Sequence, residues 1–159
     1  MTVADQIVLA ERGAHMDRLI RAYFDGCNEA DVDKMTACFT PDAVHYFPPG
    51  MYEGPFRGAG RIAEKWRSAV RNLGSYWTID RLLIEPMSWQ AVMEWTHFKT
   101  RTGAVLRGIE WYEFDPASGL IAEIRAYYAA PADREARINE LVGFDYAGRG
   151  YPLASGTHG

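Results

Sequence analysis

The sequence predicts an α+β fold in which a curved, mixed β-sheet wraps around three helices as a cone with an open internal cavity. Three observations predict it. Two helical segments come first, a short histidine-bearing strand and a third helix follow, and the chain up to residue 128 is then a meander of long strand-like runs separated by turn signals. A sheet built from such a meander has an apolar face to bury, and the helices are the surface available to cover it.

Taken in order, apolar residues recur at helical spacing over 16–27, and Asp31 caps a short second helix over 31–39. Asp42-Ala43-Val44-His45-Tyr46-Phe47 is a strand, stopped by Pro48-Pro49-Gly50. Arg57-Gly58-Ala59-Gly60-Arg61 leads into a third helix over 62–70; it lacks the preceding strand and full glycine pattern of a dinucleotide site, so it reads as a turn. The run 76–85 is a strand ended by Pro86. Arg101-Thr102-Gly103 joins strands 89–100 and 104–115 as a hairpin, and a turn at Asp115-Pro116-Ala117-Ser118-Gly119 precedes the last strand, 120–128. Alternation puts Met93, Trp95 and His97 on one face, with Gly108, Glu110 and Tyr112 forming a second set and Ile124, Ala126 and Tyr128 a third. Each face of the sheet carries aromatics and a charge, so alternation alone leaves open which one is concave.

A chain of 159 residues is one domain by length. It divides into an N-terminal extension (1–13), a cavity domain (14–130) and a C-terminal helix with an aromatic, glycine-rich tail (131–159). The formal net charge is −4 with basic residues scattered among acidic ones, which excludes the basic footprint of a nucleic-acid binder. Aromatics are 13% of the residues, a composition suited to an apolar cavity. Cys27 and Cys38 match no metal or redox spacing and read as small buried apolar side chains. His15, His45, His97 and His158 lie too far apart for a metal site, no phosphate loop is present, and no cofactor is expected. The first residues do not resemble a secretory signal and no run suits a membrane span, so the expected location is cytoplasmic.

The element order, the Ala43-Val44-His45-Tyr46-Phe47-Pro48 strand, the Arg57-Gly58 lead-in to the third helix, and Arg107-Gly108-Ile109-Glu110-Trp111-Tyr112 followed by Gly119-Leu120-Ile121-Ala122-Glu123-Ile124 together resemble the nuclear transport factor 2-like superfamily. The ketosteroid isomerase and SnoaL-like polyketide cyclase branches are the most similar, and the resemblance spans residues 14–130. It implies a cystatin-like roll, a SnoaL-like cavity domain, and a concave face bearing Met93, Trp95, His97 and Glu110. It also implies roles. Tyr23 matches the isomerase tyrosine that donates to a developing enolate oxygen, and Glu110 matches the neighbouring acid. Phe47 stands where the isomerase carries its aspartate base, and Ala126 stands where SnoaL-like cyclases and limonene epoxide hydrolases carry an acid. The base then falls to His45 or His97, since an imidazole titrates near neutral pH. Asp25 is a further candidate, as the helix-one carboxylate that holds a histidine in related dehydratases.

The expected catalytic set is therefore His45, Tyr23, Glu110 and His97, with Phe47, Trp66, Met93, Trp95, Tyr112, Ala126 and Tyr128 binding the substrate. The expected function is cofactor-independent proton transfer, as an isomerase, dehydratase (lyase) or cyclase, on a small apolar carbonyl or hydroxyl compound. The alternatives are a non-catalytic small-molecule-binding or dimeric scaffold protein and, further off, an epoxide hydrolase. Homodimerisation through the outer sheet face, with Trp111, Phe98 and Tyr127, is the expected assembly. The aromatic tail over 143–152 is expected to dock on something apolar, either this protomer's cavity mouth or a partner subunit.

Overall fold

The computed structural model describes residues 1–128, 142–145 and 148–150. Its elements are α1 (Val3–Glu29), α2 (Val32–Thr36), β1 (Phe39–Tyr46), β2 (Phe56–Arg57), α3 (Ala59–Leu73), β3 (Ser75–Glu85), β4 (Gln90–Lys99), β5 (Ala104–Phe114) and β6 (Ile121–Tyr127). The predicted α+β class and its curved mixed sheet are what forms. The expected C-terminal helix lies outside the described residues except for Val142, and of the aromatic tail residues 143–145 and 148–150 are described.

Helix α1 starts ahead of its apolar stripe. Thr2 and Asp5 close a reciprocal capping box, with Thr2 N–H donating to Asp5 Oδ2 at 2.7 Å and Asp5 N–H to Thr2 Oγ1 at 3.2 Å. Val3, Ile7 and Val8 on these first turns are exposed, so no periodicity marks them, and the stretch expected as an extension is helical from Val3 onward. The buried stripe Met16, Ile20, Tyr23, Phe24 and Cys27 follows the i, i+4, i+7, i+8 rhythm of one helix face. At its end Gly26 lets α2 approach: a Cβ there would lie 2.9 Å from Met35 Cγ.

The sheet order is β2-β1-β6-β5-β4-β3, with β1 and β6 parallel and every other pair antiparallel. Strand β1 begins at Phe39, earlier than expected, because Pro41 falls inside an irregular stretch of pairing between Phe39 and Val44 that a sequence reading takes for a break. Strand β2 was missed altogether; it is two residues long and pairs with Val44 and His45. Helices α1 and α3 pack on the concave face, where Met93, Tyr112, Ile121, Ile124 and Ala126 are buried. The opposite, convex face leaves Leu83, Phe98, Val105, Ile109, Trp111 and Tyr127 exposed. Among the described residues, no helix is long and apolar enough to cross a membrane.

The tail's described part lies against this protomer. Phe144 meets Tyr46 edge to face at 5.2 Å between centroids, Val142 N–H donates to Phe47 C=O at 3.1 Å, and the Arg149 guanidinium binds Glu123. These contacts place it over the outer side of β1 and β6 rather than at the cavity mouth.

Candidate functional site

A cavity opens between α1, α3 and the concave face. Its wall is aromatic: Phe47, Tyr52, Trp66, Trp77, Trp95 and Tyr128 all line it. Tyr23, Cys27 and Glu110 supply buried polar groups at its inner end, and the more exposed Met51, Leu73, Lys99 and Leu106 frame the mouth.

Sheet register explains how the inner polar group assembles. Glu110 on β5 sits opposite Met93 on β4 and opposite Ala126 on β6. One row along, Tyr112 pairs with Ile124, which pairs with His45 on β1. The Glu110 side chain must pass the position of Ala126 to reach β1, and a methyl group leaves it room. Glu110 Oε1 then comes within 3.3 Å of His45 Nε2, while Tyr112 O–H donates to Oε2 at 2.5 Å. A carboxylate this enclosed requires such partners to offset its lost hydration.

His45 itself has no exposed surface. Its ring stacks on Phe47 at 4.1 Å and 25° and meets the edges of Phe56 and Trp66. The 3.3 Å approach to Glu110 is not aligned as a hydrogen bond, and neither ring nitrogen has a hydrogen-bond partner among the described residues. His45 therefore stands behind the cavity wall, in contact with Glu110, and not on the wall.

Tyr23 does face the cavity. Its hydroxyl accepts from Trp66 Nε1 at 2.6 Å. Burial pushes the Tyr23 phenol well above its usual range, with the Glu110 carboxylate adding to it, so it stays protonated and can donate. Burial also raises Cys27 well above the ordinary thiol range, which keeps it a thiol rather than a nucleophilic thiolate. Both cysteines are free and buried.

His97 lines the cavity further out. Nε2 lies 2.8 Å from Ser75 Oγ, and the ring stacks on Trp77 at 4.4 Å and 18°. Burial, then the nearby Lys99 charge, lowers it to about 4, so the ring is neutral at physiological pH. Trp95 keeps its place on the wall because Gly108 faces it: a Cβ at Gly108 would come within 2.5 Å of the indole. Trp77 is fixed from α1, since Asn28 Nδ2 donates to Trp77 C=O at 2.9 Å and Trp77 N–H donates to Asn28 Oδ1 at 2.8 Å.

Of the residues expected from sequence, Tyr23, Glu110, His97, Phe47, Trp66, Trp95 and Tyr128 line the cavity. His45, Met93, Tyr112 and Ala126 do not; they are fully buried beneath its wall, on the same concave face but covered by longer neighbours. Asp25 is exposed on α1, away from the cavity. Sequence reading missed Tyr52, Trp77, Cys27 and Lys99. Alternation with Ile79 on β3 could have found Trp77, and Lys99 extends the Trp95, His97 series by one step. Tyr52 lies in an irregular loop after the double proline, where no periodicity operates. Among the described residues no group of three or more His, Cys, Asp or Glu side chains is arranged to hold a metal ion.

Residues 20–141 match the family model described as a SnoaL-like domain. A crystal structure of a protein of unknown function with a cystatin-like fold, from Methylobium petroleophilum, is 60% identical, superposes with a TM-score of 0.86, and is matched over 91% of this chain and 95% of that one. A nuclear transport factor 2-like protein of unknown function from Mesorhizobium loti is 15% identical at a TM-score of 0.62, over 75% of this chain and 94% of that one. The epoxide hydrolase/cyclase-like enzyme SalBIII, described in pyran ring formation in polyether salinomycin, is 17% identical at a TM-score of 0.59, over 72% and 90%. The last two likenesses show the fold alone. No curated protein matches the chain.

Proposed function

The chain belongs to the SnoaL-like domain family, and from that premise we propose that it is a cofactor-independent proton-transfer enzyme acting on a small apolar carbonyl or hydroxyl compound. The observation that carries this reading is Glu110, the one carboxylate on the cavity wall among the described residues, held from behind by His45 and Tyr112. Glu110 removes a proton from carbon next to the substrate carbonyl, and the electron pair moves to the oxygen, which accepts a hydrogen bond from Tyr23. The carboxylic acid so formed returns the proton at a second carbon in an isomerisation, or to a departing hydroxide in a dehydration. His45 acts through Glu110, as a positioning residue. This exchanges the roles the sequence suggested, since His45 is sealed from the cavity and Glu110 is not.

The test is solvent deuterium incorporation into a panel of cyclic enones and β-hydroxy ketones, followed by proton NMR. The protein should accelerate exchange of at least one member over buffer. Glu110→Gln should lower that rate about a hundred-fold or more, and Tyr23→Phe about ten-fold. Binding without accelerated exchange would instead favour a non-catalytic ligand carrier, a reading that Phe47 and Ala126 support by standing where acids would be needed. Epoxide hydrolysis has less support, because a second cavity carboxylate to activate water is lacking among the described residues.

For assembly, the proposal is a homodimer through the convex face, where Phe98, Ile109, Trp111 and Tyr127 are exposed on β4, β5 and β6.

A further inference from the structure

We propose that the cavity's ligand is an apolar monoanion, an aromatic carboxylate held with its anionic end at Lys99 and an uncharged oxygen at Tyr23 and Glu110. This rests on reading the cavity as a ligand site and adds the charge and the orientation of what fills it.

Lys99 is the only cationic side chain on the cavity wall among the described residues. It projects from the concave face of β4, half-buried, two residues beyond His97 and four beyond Trp95. No carboxylate among the described residues pairs with it; Asp80, Glu94, Glu113 and Glu123 are engaged elsewhere, by Arg107, Arg125 and Arg149. The other titratable groups on the wall do not answer that charge. Tyr23, Tyr52, Tyr128 and Cys27 are held protonated by burial, and His97 is held neutral. Glu110 lies at the far end of the cavity, where one of its oxygens accepts from Tyr112. Among the described residues, the mouth is therefore positive and unmatched.

An ammonium partly withdrawn from water beside apolar walls gains from an anion placed against it, because the pair interacts in a medium of lower polarity than bulk solvent. Geometry sets the ligand's length. Met93 is the residue opposite Glu110, so Lys99 lies six residues along β4, roughly 20 Å of strand at about 3.3 Å per residue. The side chains of Lys99 and Glu110, both on the cavity wall, shorten that gap from both ends. What remains is flanked by Trp77, Trp95, Trp66 and Tyr128, flat surfaces suited to a planar ring system. A ring compound with a carboxylate at one end and a carbonyl or hydroxyl at the other satisfies both poles at once.

Isothermal titration calorimetry with 6-hydroxy-2-naphthoate and its uncharged analogue 6-hydroxy-2-naphthamide tests this. The wild-type protein should bind the acid about ten-fold more tightly than the amide, a preference that weakens with added salt. Lys99→Met should bring the acid down to the amide's affinity while leaving the amide unchanged, and Lys99→Arg should retain the preference. Equal binding of acid and amide to the wild-type protein would overturn the anion assignment and leave the cavity reading standing. A preference that survives Lys99→Met would overturn the role of Lys99. Failure of both compounds to bind would overturn the inference together with the cavity reading beneath it.

Discussion

Glu110 and His45 meet because of a residue that does nothing chemical. Ala126 lies between their strands, and its methyl group is what lets a glutamate on β5 reach a histidine on β1 across the intervening β6. Ala126→Leu should therefore separate the pair. The cost of the added bulk is about 1–3 kcal/mol in urea unfolding, and the imidazole nitrogen NMR signals of His45 should move as Glu110 is displaced. Deuterium exchange by the variant should fall about ten-fold, and an unchanged rate with a moved His45 signal would show that the contact serves packing alone. The same geometry explains what could be read in advance. Glu110 stood out in the sequence because a carboxylate between Ile109 and Trp111 in a central strand needs a reason to be there. His45 was equally visible, but its depth was not: whether a concave-face side chain reaches the cavity or ends beneath it depends on the size of its neighbours, here Phe47, Phe56 and Trp66, and one strand's alternation carries no information about that.

Among the elements, β3 lies at one edge of the sheet while carrying Trp77 on the cavity wall. An edge strand has unpaired backbone groups on its open side, and the Asn28 amide occupies one N–H and one C=O of that edge, both on Trp77. Asn28→Ala should cost about 1–3 kcal/mol and speed amide hydrogen exchange at Trp77, readable by urea unfolding and by NMR. If Trp77 exchange is unaffected, the amide bridge is not what holds the edge. The long strands β3, β4, β5 and β6 were legible almost to the residue, because alternation and turn chemistry act locally. What escaped was set by distant partners: β2 exists only because two residues find Val44 and His45, and the first turns of α1 rest on a cap rather than on a buried face.

At the scale of the molecule, the sheet has a covered face and a bare one. Ile109, half-exposed at the centre of the convex side between Glu94 and Tyr127, is where a second copy would seat in the proposed dimer. Light scattering should give twice the chain mass, and Ile109→Glu should halve it while leaving the circular dichroism of the fold intact; a wild-type monomer at the same concentrations would remove the proposal. The one parallel pairing in the sheet has a consequence in time. Strand β1 finds its long partner only in β6, about half the chain later, so the ladder that places His45 beside Ile124, with Glu110 reaching over Ala126, cannot close until β6 has been made. On the ribosome, helices α1 to α3 and the β3–β5 meander can form as they emerge, with His45 and its apolar neighbours waiting uncovered. Strand β6, the last among the described residues, is thus the one that completes both the core and the site, so a chain released before β6 has emerged would carry Tyr23, Cys27 and Glu110 of the inner cavity and still lack the ladder that brings His45 to Glu110.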